Sequence, residues 1–460
     1  MELDPLSAVL SDNSGAFGIL LLLGFAIRQI RARRKSAARA KKLLQKAIAS
    51  NLAEPLTLHP EINPALCVGC GTCTRVCPEG EVLKLIDHKP VLVSPTKCVG
   101  HGECEQHCPQ GAIRLVFGTK TRGMDIPRIT PNYETNIPGL YIAGELGGMG
   151  LIRNAVKQGH LAAKHAIAHL SRAQTQVDVL IVGAGPAGLA ASLTAIAEKK
   201  SYLCIEQNSF GGTVYNFPRQ KVVMTHPAEL PLAGTMKFPK NKVSKEELLA
   251  FWNEVRKKTG LQIREKIRFE GIERGEGFFK VTTNAGIITA EKVILAIGVR
   301  GSPRKLGLPN EDLPKVAYNL IDPAQYRQVD VAVVGGGNAG VEAAQYLAKP
   351  ELGNRVTLLV RGSGFDRCNE ENKQIVIAMA EQGKLVIRYN SAVKEIGEKH
   401  LLIETEGDTA GGIAPGKIAN DFLFVFAGAE MPNKFLMSLG IQIDKKFGEG
   451  LAENLVGVHA

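Results

Sequence analysis

Apolar positions along the chain fall into three successive patterns. Residues 15–27, Gly-Ala-Phe-Gly-Ile-Leu-Leu-Leu-Leu-Gly-Phe-Ala-Ile, form one apolar run. Extending it back to Val9 reaches the roughly twenty residues of a bilayer span, at the cost of including Ser11, Asp12, Asn13 and Ser14. Residues 28–52, rich in Ala, Lys, Arg and Leu, predict a helix, and Pro55, Pro60 and Pro64 mark the break after it. From 138 onward, short apolar runs end in, or lead directly into, glycine or a charged residue. These are Pro138–Glu145, Val179–Gly183, Ser201–Glu206, Val293–Gly298, Asp330–Gly335 and Arg355–Val360. Such runs predict buried strands of parallel sheets. Residues 244–260 predict a helix, 262–290 short alternating strands, and the proline-rich stretch 218–242 a loop.

Charge changes this picture in one place. The net charge is +11, and residues 28–46 hold Arg28, Arg31, Arg33, Arg34, Lys35, Arg39, Lys41, Lys42 and Lys46 with no acid. A basic cluster following an apolar run is the wrong order for a cleaved secretory signal. It fits an anchor with the rest of the chain in the cytoplasm, its basic residues on anionic headgroups. The basic excess is local, so no nucleic-acid groove is implied elsewhere.

Two glycine patterns predict dinucleotide sites. In Val179–Gly188, Gly183, Gly185 and Gly188 give G-x-G-x-x-G between a strand and a helix, with Pro186 and Ala187 at the helix start. The first glycine permits the turn, the second lets the backbone approach a pyrophosphate, and the third lets helix and strand pack closely. Glu206, about twenty residues on, can bond a ribose hydroxyl. The pattern repeats in Gly335, Gly337, Asn338 and Gly340. There the next strand ends in Arg361, and a cation at that place suits the 2′-phosphate of NADPH. Arg367 is a second cation for that role.

Of nine cysteines, seven lie between Cys67 and Cys108, a crowding that points to metal ligation rather than disulfides. Cys67, Cys70, Cys73 and Cys77-Pro78 form C-x-x-C-x-x-C-x-x-x-C-P, and this stretch resembles the bacterial two-cluster ferredoxins. A four-cysteine zinc site would come as two separated pairs. The second half, Cys98, His101, Cys104 and Cys108-Pro109, keeps the spacing with His101 in place of a cysteine. In the family the fourth cysteine serves the other cluster. That implies a 4Fe-4S site of Cys67, Cys70, Cys73 and Cys108, and a second site of Cys98, Cys104 and Cys77 with His101. The second site holds either a histidine-ligated 4Fe-4S cluster or a 3Fe-4S cluster. His107 has no ligand register and reads as solvent-exposed.

Pro138–Glu145, followed by a helix with Ala155, Gly159 and Ala162–Ala163 at small-residue positions, resembles the closing segment of the flavin disulfide-reductase-like (thioredoxin-reductase-like) flavoproteins. So do Gly211, Gly212 and Thr213, and the strand Val293–Gly298. The resemblance implies FAD, with Gly144 and Glu145 at the flavin, although Glu145 stands where the family has aspartate. That segment normally closes the chain, and here it precedes the first glycine loop. A circular permutation follows as an expectation. The closing segment 129–169 comes first, Ser171–Gln176 links the old ends, and residues 440–460 lie near 119–135. The family's redox-active C-x-x-C is missing outside the cluster region, and bacillithiol-disulfide-reductase-like relatives have a cysteine where Ala187 stands here.

The expected fold class is α/β. Two Rossmann-like nucleotide-binding domains, for FAD and NAD(P)H, follow a small α+β ferredoxin-like domain and an N-terminal helix. The expected division is 1–27 anchor, 28–54 basic helical linker, 55–118 two-cluster domain, 119–327 with 416–460 FAD domain, and 328–415 NAD(P)H domain. The expected function is an oxidoreductase moving electrons between NADPH, FAD and two iron–sulfur clusters. Its partner would be a redox protein or a membrane electron carrier, at the cytoplasmic face of the membrane, with a homodimer as a further option. The alternatives are a flavin reductase of a small disulfide and a membrane-bound redox sensor.

Overall fold

The computed structural model describes residues 5–450 except 50–52, 56–57, 149, 172, 225–226, 237, 239–242, 300–302, 366–367, 369, 406–415 and 429–431, and side chains from residue 20 onward apart from those of 224 and 370. The chain divides into two compact units, Met1–Val116 and Phe117–Ala460.

The first unit opens with one continuous helix, Pro5–Ala49. The sequence divides into an apolar anchor and a basic linker, but no proline interrupts this stretch and the helix runs through. Nor is its basic part only a solvated stalk. Ala40 is buried, Arg39 reaches Glu81 at 2.8 Å, and Lys41 reaches Asp87 at 3.1 Å. Exposed pairs of this kind are worth at most about 1 kcal/mol each, so they orient the helix more than they hold it. The span expected over 9–27 falls mostly on residues whose side chains lie outside those described. Among the described residues no helix is long and apolar enough to cross a membrane.

The rest of this unit repeats strand–helix–strand. His59–Ile62, Thr72–Val76 and Leu83–Ile86 are followed by Lys89–Leu92, Glu103–Gln106 and Ile113–Val116. The outer strands pair antiparallel, His59–Ile62 with Ile113–Val116. The inner two form a hairpin. Its turn residues Asp87 and His88 are both left-handed, which matches the twist of the flanking strands. Val82, Leu83, Ile113 and two cysteines, Cys73 and Cys104, make the small core.

The second unit holds two nucleotide-type sheets. In the first, the strands run in the order Ile263–Glu265, Tyr202–Glu206, Val177–Val182, Gly286–Leu295, Phe279–Thr283, Phe269–Arg274. Gly286–Leu295 is longer than the alternating pattern implies, because it serves two sets of neighbours. Its first half pairs antiparallel with Phe279–Thr283, and its end pairs parallel with both Val177–Val182 and Leu140–Ile142. The helix Ile152–Ala168 then packs on the helix Pro186–Ala197. A methyl group on Gly159 would run into the carbonyl oxygen of Ala187, so only glycine permits this approach. At the other end of the unit, Ile443–Lys446 pairs antiparallel with Met124–Pro127, Phe117 bridges to Glu449, and Arg128 forks onto Asp444 at 2.7 Å.

The second sheet is fully parallel: Val316–Ala317, Phe422–Val425, Asp330–Val334, Arg355–Leu359, Val386–Arg388. A three-stranded antiparallel sheet, Ser391–Ile396, His400–Thr405 and Gly416–Ala419, packs beside it. This moves the boundaries read from sequence at 328 and 415. Phe422–Val425 does not return the chain to the first sheet. Leu423 and Phe424 are wholly buried between Val316–Ala317 and Asp330–Val334. Leu306, Leu308, Leu313 and Tyr318 pack against the same sheet, and Arg304 N–H bonds Gly428 O at 2.9 Å. The second nucleotide domain therefore begins near 304 and ends near 428.

Gly159→Ala is expected to force the two helices apart and cost about 1–3 kcal/mol, read as a lower melting temperature of the full chain. An unchanged melting temperature would mean that the contact is loose.

Candidate functional site

Four sites can be built from the residues upward, two in each unit. In the first unit, the loops Cys67-Val-Gly-Cys70-Gly and Cys98-Val-Gly-His101-Gly share a backbone pattern. Gly69, Gly71, Gly100 and Gly102 are all left-handed, and a methyl on Gly100 would sit 3.0 Å from Leu58 O. Each loop wraps its thiol or imidazole side chains around a cavity and then enters a short helix.

One cavity is lined by Cys67, Cys70, Cys73 and Cys108. The other is lined by Cys77, Cys98, His101 and Cys104, together with Glu79 and Glu103. The fourth cysteine of each run has thus crossed to the other cavity. Among the described residues, no three His, Cys, Asp or Glu side chains converge tightly enough for a single metal ion. A larger thiolate-held group suits these donor sets. His107 is exposed, its Nδ1 3.0 Å from Glu103 O.

The surroundings of the two cavities differ. Lys89 Nζ donates to Cys67 O at 2.5 Å, and an Arg75 guanidinium N–H to Cys70 O at 3.2 Å, which places two cations at the first. The second carries carboxylates, and Glu79 Oε1 lies 3.8 Å from His101 Nε2. Cys70 is exposed, and the Thr72 hydroxyl beside it lowers its thiol pKa. Burial pushes Cys73 and Cys98 up to about 11 and Cys104 up to about 12, and it raises Cys77 as well. The buried thiols are poor as free acids and good only as ligands of a cation.

In the second unit, the loop after Val177–Val182 is closed by contacts that only glycine permits. A methyl on Gly183 would stand 2.5 Å from Ala296 O, and one on Gly188 would strike Gly183 O. A methyl on Gly185 would meet nothing within 4 Å, so the backbone there faces open space in front of the helix that begins at Pro186 and Ala187. Glu206 is buried, and its carboxylate accepts from Ala184 N–H and Asn208 N–H at 2.8 Å each. Gly211 N–H bonds Ala184 O at 3.0 Å, and the turn Gly212–Val214, with Thr213 in it, lies against Gly185.

Gly144 joins this group: its added methyl would lie 3.2 Å from Ala187 Cβ. Glu145 follows in the turn Glu145–Gly147, half-buried, and faces Gly150. One residue here carries no signal in the sequence. Gln158, on the helix Ile152–Ala168, is buried, and its Oε1 accepts from Gly144 N–H at 2.7 Å. Among the described residues its Nε2 is buried without a hydrogen-bond partner, an unpaired donor beside Gly144 that fits a ligand acceptor.

The second glycine loop repeats the first. A methyl on Gly335 would lie 2.5 Å from Phe426 O, one on Gly340 would strike Gly335 O, and Gly337 caps the helix Asn338–Leu347. Arg361 is exposed just beyond the strand Arg355–Leu359. Arg367 lies outside the described residues. Cys204 is fully buried in its strand, and Cys368 stands 3.3 Å from Asn338 Oδ1.

Residues 180–452 match the model of a family described as pyridine nucleotide-disulphide oxidoreductase, and residues 59–109 match a 4Fe-4S dicluster domain. The family match starts at Leu180, so the segment 129–169 lies outside it. The chain is similar to the bacilliredoxin reductase Bdr of Bacillus subtilis, 27% identical over 295 residues that are 62% of this chain and 88% of that protein. It is also similar to a ferredoxin–NADP reductase of Ignicoccus hospitalis, 31% identical over 292 residues, again 62% and 88%. Among solved structures it resembles the bacillithiol disulfide reductase of Bacillus cereus, with TM-score 0.52 and 28% identity, covering 58% of this chain and 82% of that one.

In protein stripped of iron, iodoacetamide at mildly alkaline pH is expected to alkylate Cys70 well before Cys98 and Cys104, read by mass spectrometry of peptides at short reaction times. Equal rates at the three thiols would mean that their burial is lost together with the metal.

Proposed function

The chain belongs to the pyridine nucleotide-disulphide oxidoreductase family, and from that premise we propose that it passes electrons between NADPH, FAD and two iron–sulfur clusters, and on to or from a one-electron redox partner. It is a flavin-dependent oxidoreductase that carries a 4Fe-4S dicluster domain. The observation that carries the finer reading is the crossed arrangement of ligand side chains into two cavities, in a chain that also has two dinucleotide-type loops. Together the bound groups would supply the conversion between paired-electron and single-electron chemistry.

This chain's own residues have the following parts in that reading. Gly183, Gly185 and Gly188 present backbone to the FAD pyrophosphate, and Glu206 braces their turn while facing the ribose. Gly212, Thr213, Gly144, Glu145 and Gln158 enclose the flavin, and the segment 129–169 serves as the permuted closing segment of its domain. The support for that role is the pairing of Leu140–Ile142 within the first sheet and the approach of Gly144 to Ala187. Gly335, Gly337, Asn338 and Gly340 take the second nucleotide, with Arg361 on its 2′-phosphate. Cys67, Cys70, Cys73 and Cys108 hold one cluster. Cys77, Cys98 and Cys104 hold the other, with His101 as its fourth ligand.

The rival reading, reduction of a small disulfide, draws on relatives named as bacilliredoxin and thioredoxin reductases. Against it, the cysteines outside the cluster region are Cys204 and Cys368 alone, and Cys204 is buried within its strand. For location we propose the cytoplasmic face of a membrane. The exposed row Leu20–Leu23, Phe25 and Ile27, followed by the basic residues, supports this.

Anaerobic titration of the full chain with NADPH, followed by optical and EPR spectra, tests the electron path. Bleaching of the flavin followed by EPR signals from two distinct clusters is expected, and clusters that stay oxidised under full flavin reduction would refute it. Arg361→Ala is expected to weaken NADPH binding about tenfold to a hundredfold, the equivalent of about 1.5–3 kcal/mol, while NADH changes little. Equal losses for both nucleotides would remove the arginine from the 2′-phosphate.

A further inference from the structure

The second cavity has a feature that the spacing of its ligands does not account for. Four acidic side chains line it or stand close to it in the sequence: Glu79, Glu81, Glu103 and Glu105, the last accepting from Leu115 N–H at 3.0 Å. Glu81 is bound by Arg39 at 2.8 Å and by Lys97 at 3.4 Å. Glu103 is within 3.5 Å of His107. Glu79 is the acid that faces His101, with Oε1 3.8 Å from Nε2. It follows Cys77 and Pro78 directly, so the turn that sends Cys77 into this cavity also delivers the carboxylate. The His101 side chain is only 12% exposed, against 42% for Glu79. The imidazole is therefore an inner group and the carboxylate stands at the rim. Among the described residues, the first cavity has no carboxylate in its lining and has the cations Lys89 and Arg75 on its cysteine loop instead.

We infer that Glu79 is the positioning residue for His101: its carboxylate stands on the Nε2 side of the imidazole and orients the ring, and its charge takes the place of the thiolate charge that the histidine lacks. The inference rests on the reading of His101 as a ligand. Its physical grounds are separate. A metal-bound imidazole needs an acceptor on its other nitrogen, and a carboxylate there fixes the tautomer and makes the ring a stronger donor. Nδ1 is one bond further from Cβ than a thiolate sulfur would be, so it is the ring nitrogen that best replaces cysteine without moving the loop. A neutral imidazole in place of a thiolate raises a cluster's potential, and an adjacent negative charge lowers it again. Two effects of Glu79 thus act in one direction. It strengthens the donor, and it disfavours the added electron by Coulomb repulsion, reduced by solvent because the carboxylate is partly exposed.

The test is made on the full-length protein with both clusters loaded, by EPR-monitored redox titration and pulsed EPR for nitrogen coupling. The variants are Glu79→Gln, Glu79→Asp and His101→Cys, with iron and sulfide content measured for each. In the parent, nitrogen coupling is expected on the second cluster. Glu79→Gln is expected to raise that cluster's midpoint potential and alter its nitrogen coupling, leaving the first cluster unmoved. Glu79→Asp should stay near the parent in potential, and His101→Cys should abolish the coupling. If the coupling is present and Glu79→Gln leaves both coupling and potential as they were, the positioning role is wrong while His101 stands as ligand. If the parent shows no nitrogen coupling, the ligand reading itself is wrong and the inference falls with it. If Glu79→Gln loads poorly, Glu79→Asp decides: failure of the charge-retaining variant to restore loading and potential also overturns the role.

Discussion

Three residue pairs of parallel sheet, Leu140 with Val293, Tyr141 with Ile294 and Ile142 with Leu295, govern the larger unit. They bring a strand made early in the chain onto the end of a strand made much later. Because Val293–Leu295 also pairs with Leu180–Val182, the same pairing sets Gly144 at the mouth of the first glycine loop. The helix that follows is then committed. It packs on Pro186–Ala197, and the absent side chain of Gly159 fixes how closely. Burial of Tyr141, Ala162, Ala163 and Ala166 in the same core makes this placement a property of packing and of hydrogen bonds together.

The smaller unit follows a different rule. Its strands are short and its core small, and cysteines form part of that core. With so few apolar side chains, metal-bound groups would contribute to folding itself. The burial that raises the thiol pKa values of Cys73, Cys98 and Cys104 opposes bare thiolates at these positions. Negative charge on those sulfurs therefore calls for a cation in contact with them, and folding and metal loading become one balance of charge.

Much of this is legible in the sequence where chemistry demands fixed spacing. The glycines at 183, 188, 335 and 340 have no substitute, because a carbonyl oxygen lies where a methyl would go. The cysteine runs can be read because a tight loop sets the distance between thiols. Glu79 and Gln158 cannot be read in this way. Each acts through a contact with a residue from another loop, and a lone acid or amide has no periodic signature. The boundary read near 415 falls in the wrong place for a related reason. Phe422–Val425 is apolar throughout, which announces a buried central strand but does not say in which sheet. The ion pairs of Arg39 and Lys41 are equally hidden, since a run of basic residues looks the same whether it faces water or a folded neighbour.

The closure of the larger unit by its two ends has a consequence for synthesis. Arg128 and Asp444 are 316 residues apart, and the strands they lie on pair with each other. On the ribosome, two strands of residues 117–169 emerge before their sheet partners: the one for Leu140–Ile142 arrives with Val293, and the one for Met124–Pro127 only with Ile443. Meanwhile the cysteine-bearing unit has every residue of its own sheets by Val116 and waits for nothing later in the chain. The nascent chain therefore has an order built into it, a small domain complete early and a larger one whose edge strand Met124–Pro127 stays open until the last strand is made. That interval is when the protein is most exposed to aggregation, and when a chaperone would matter most.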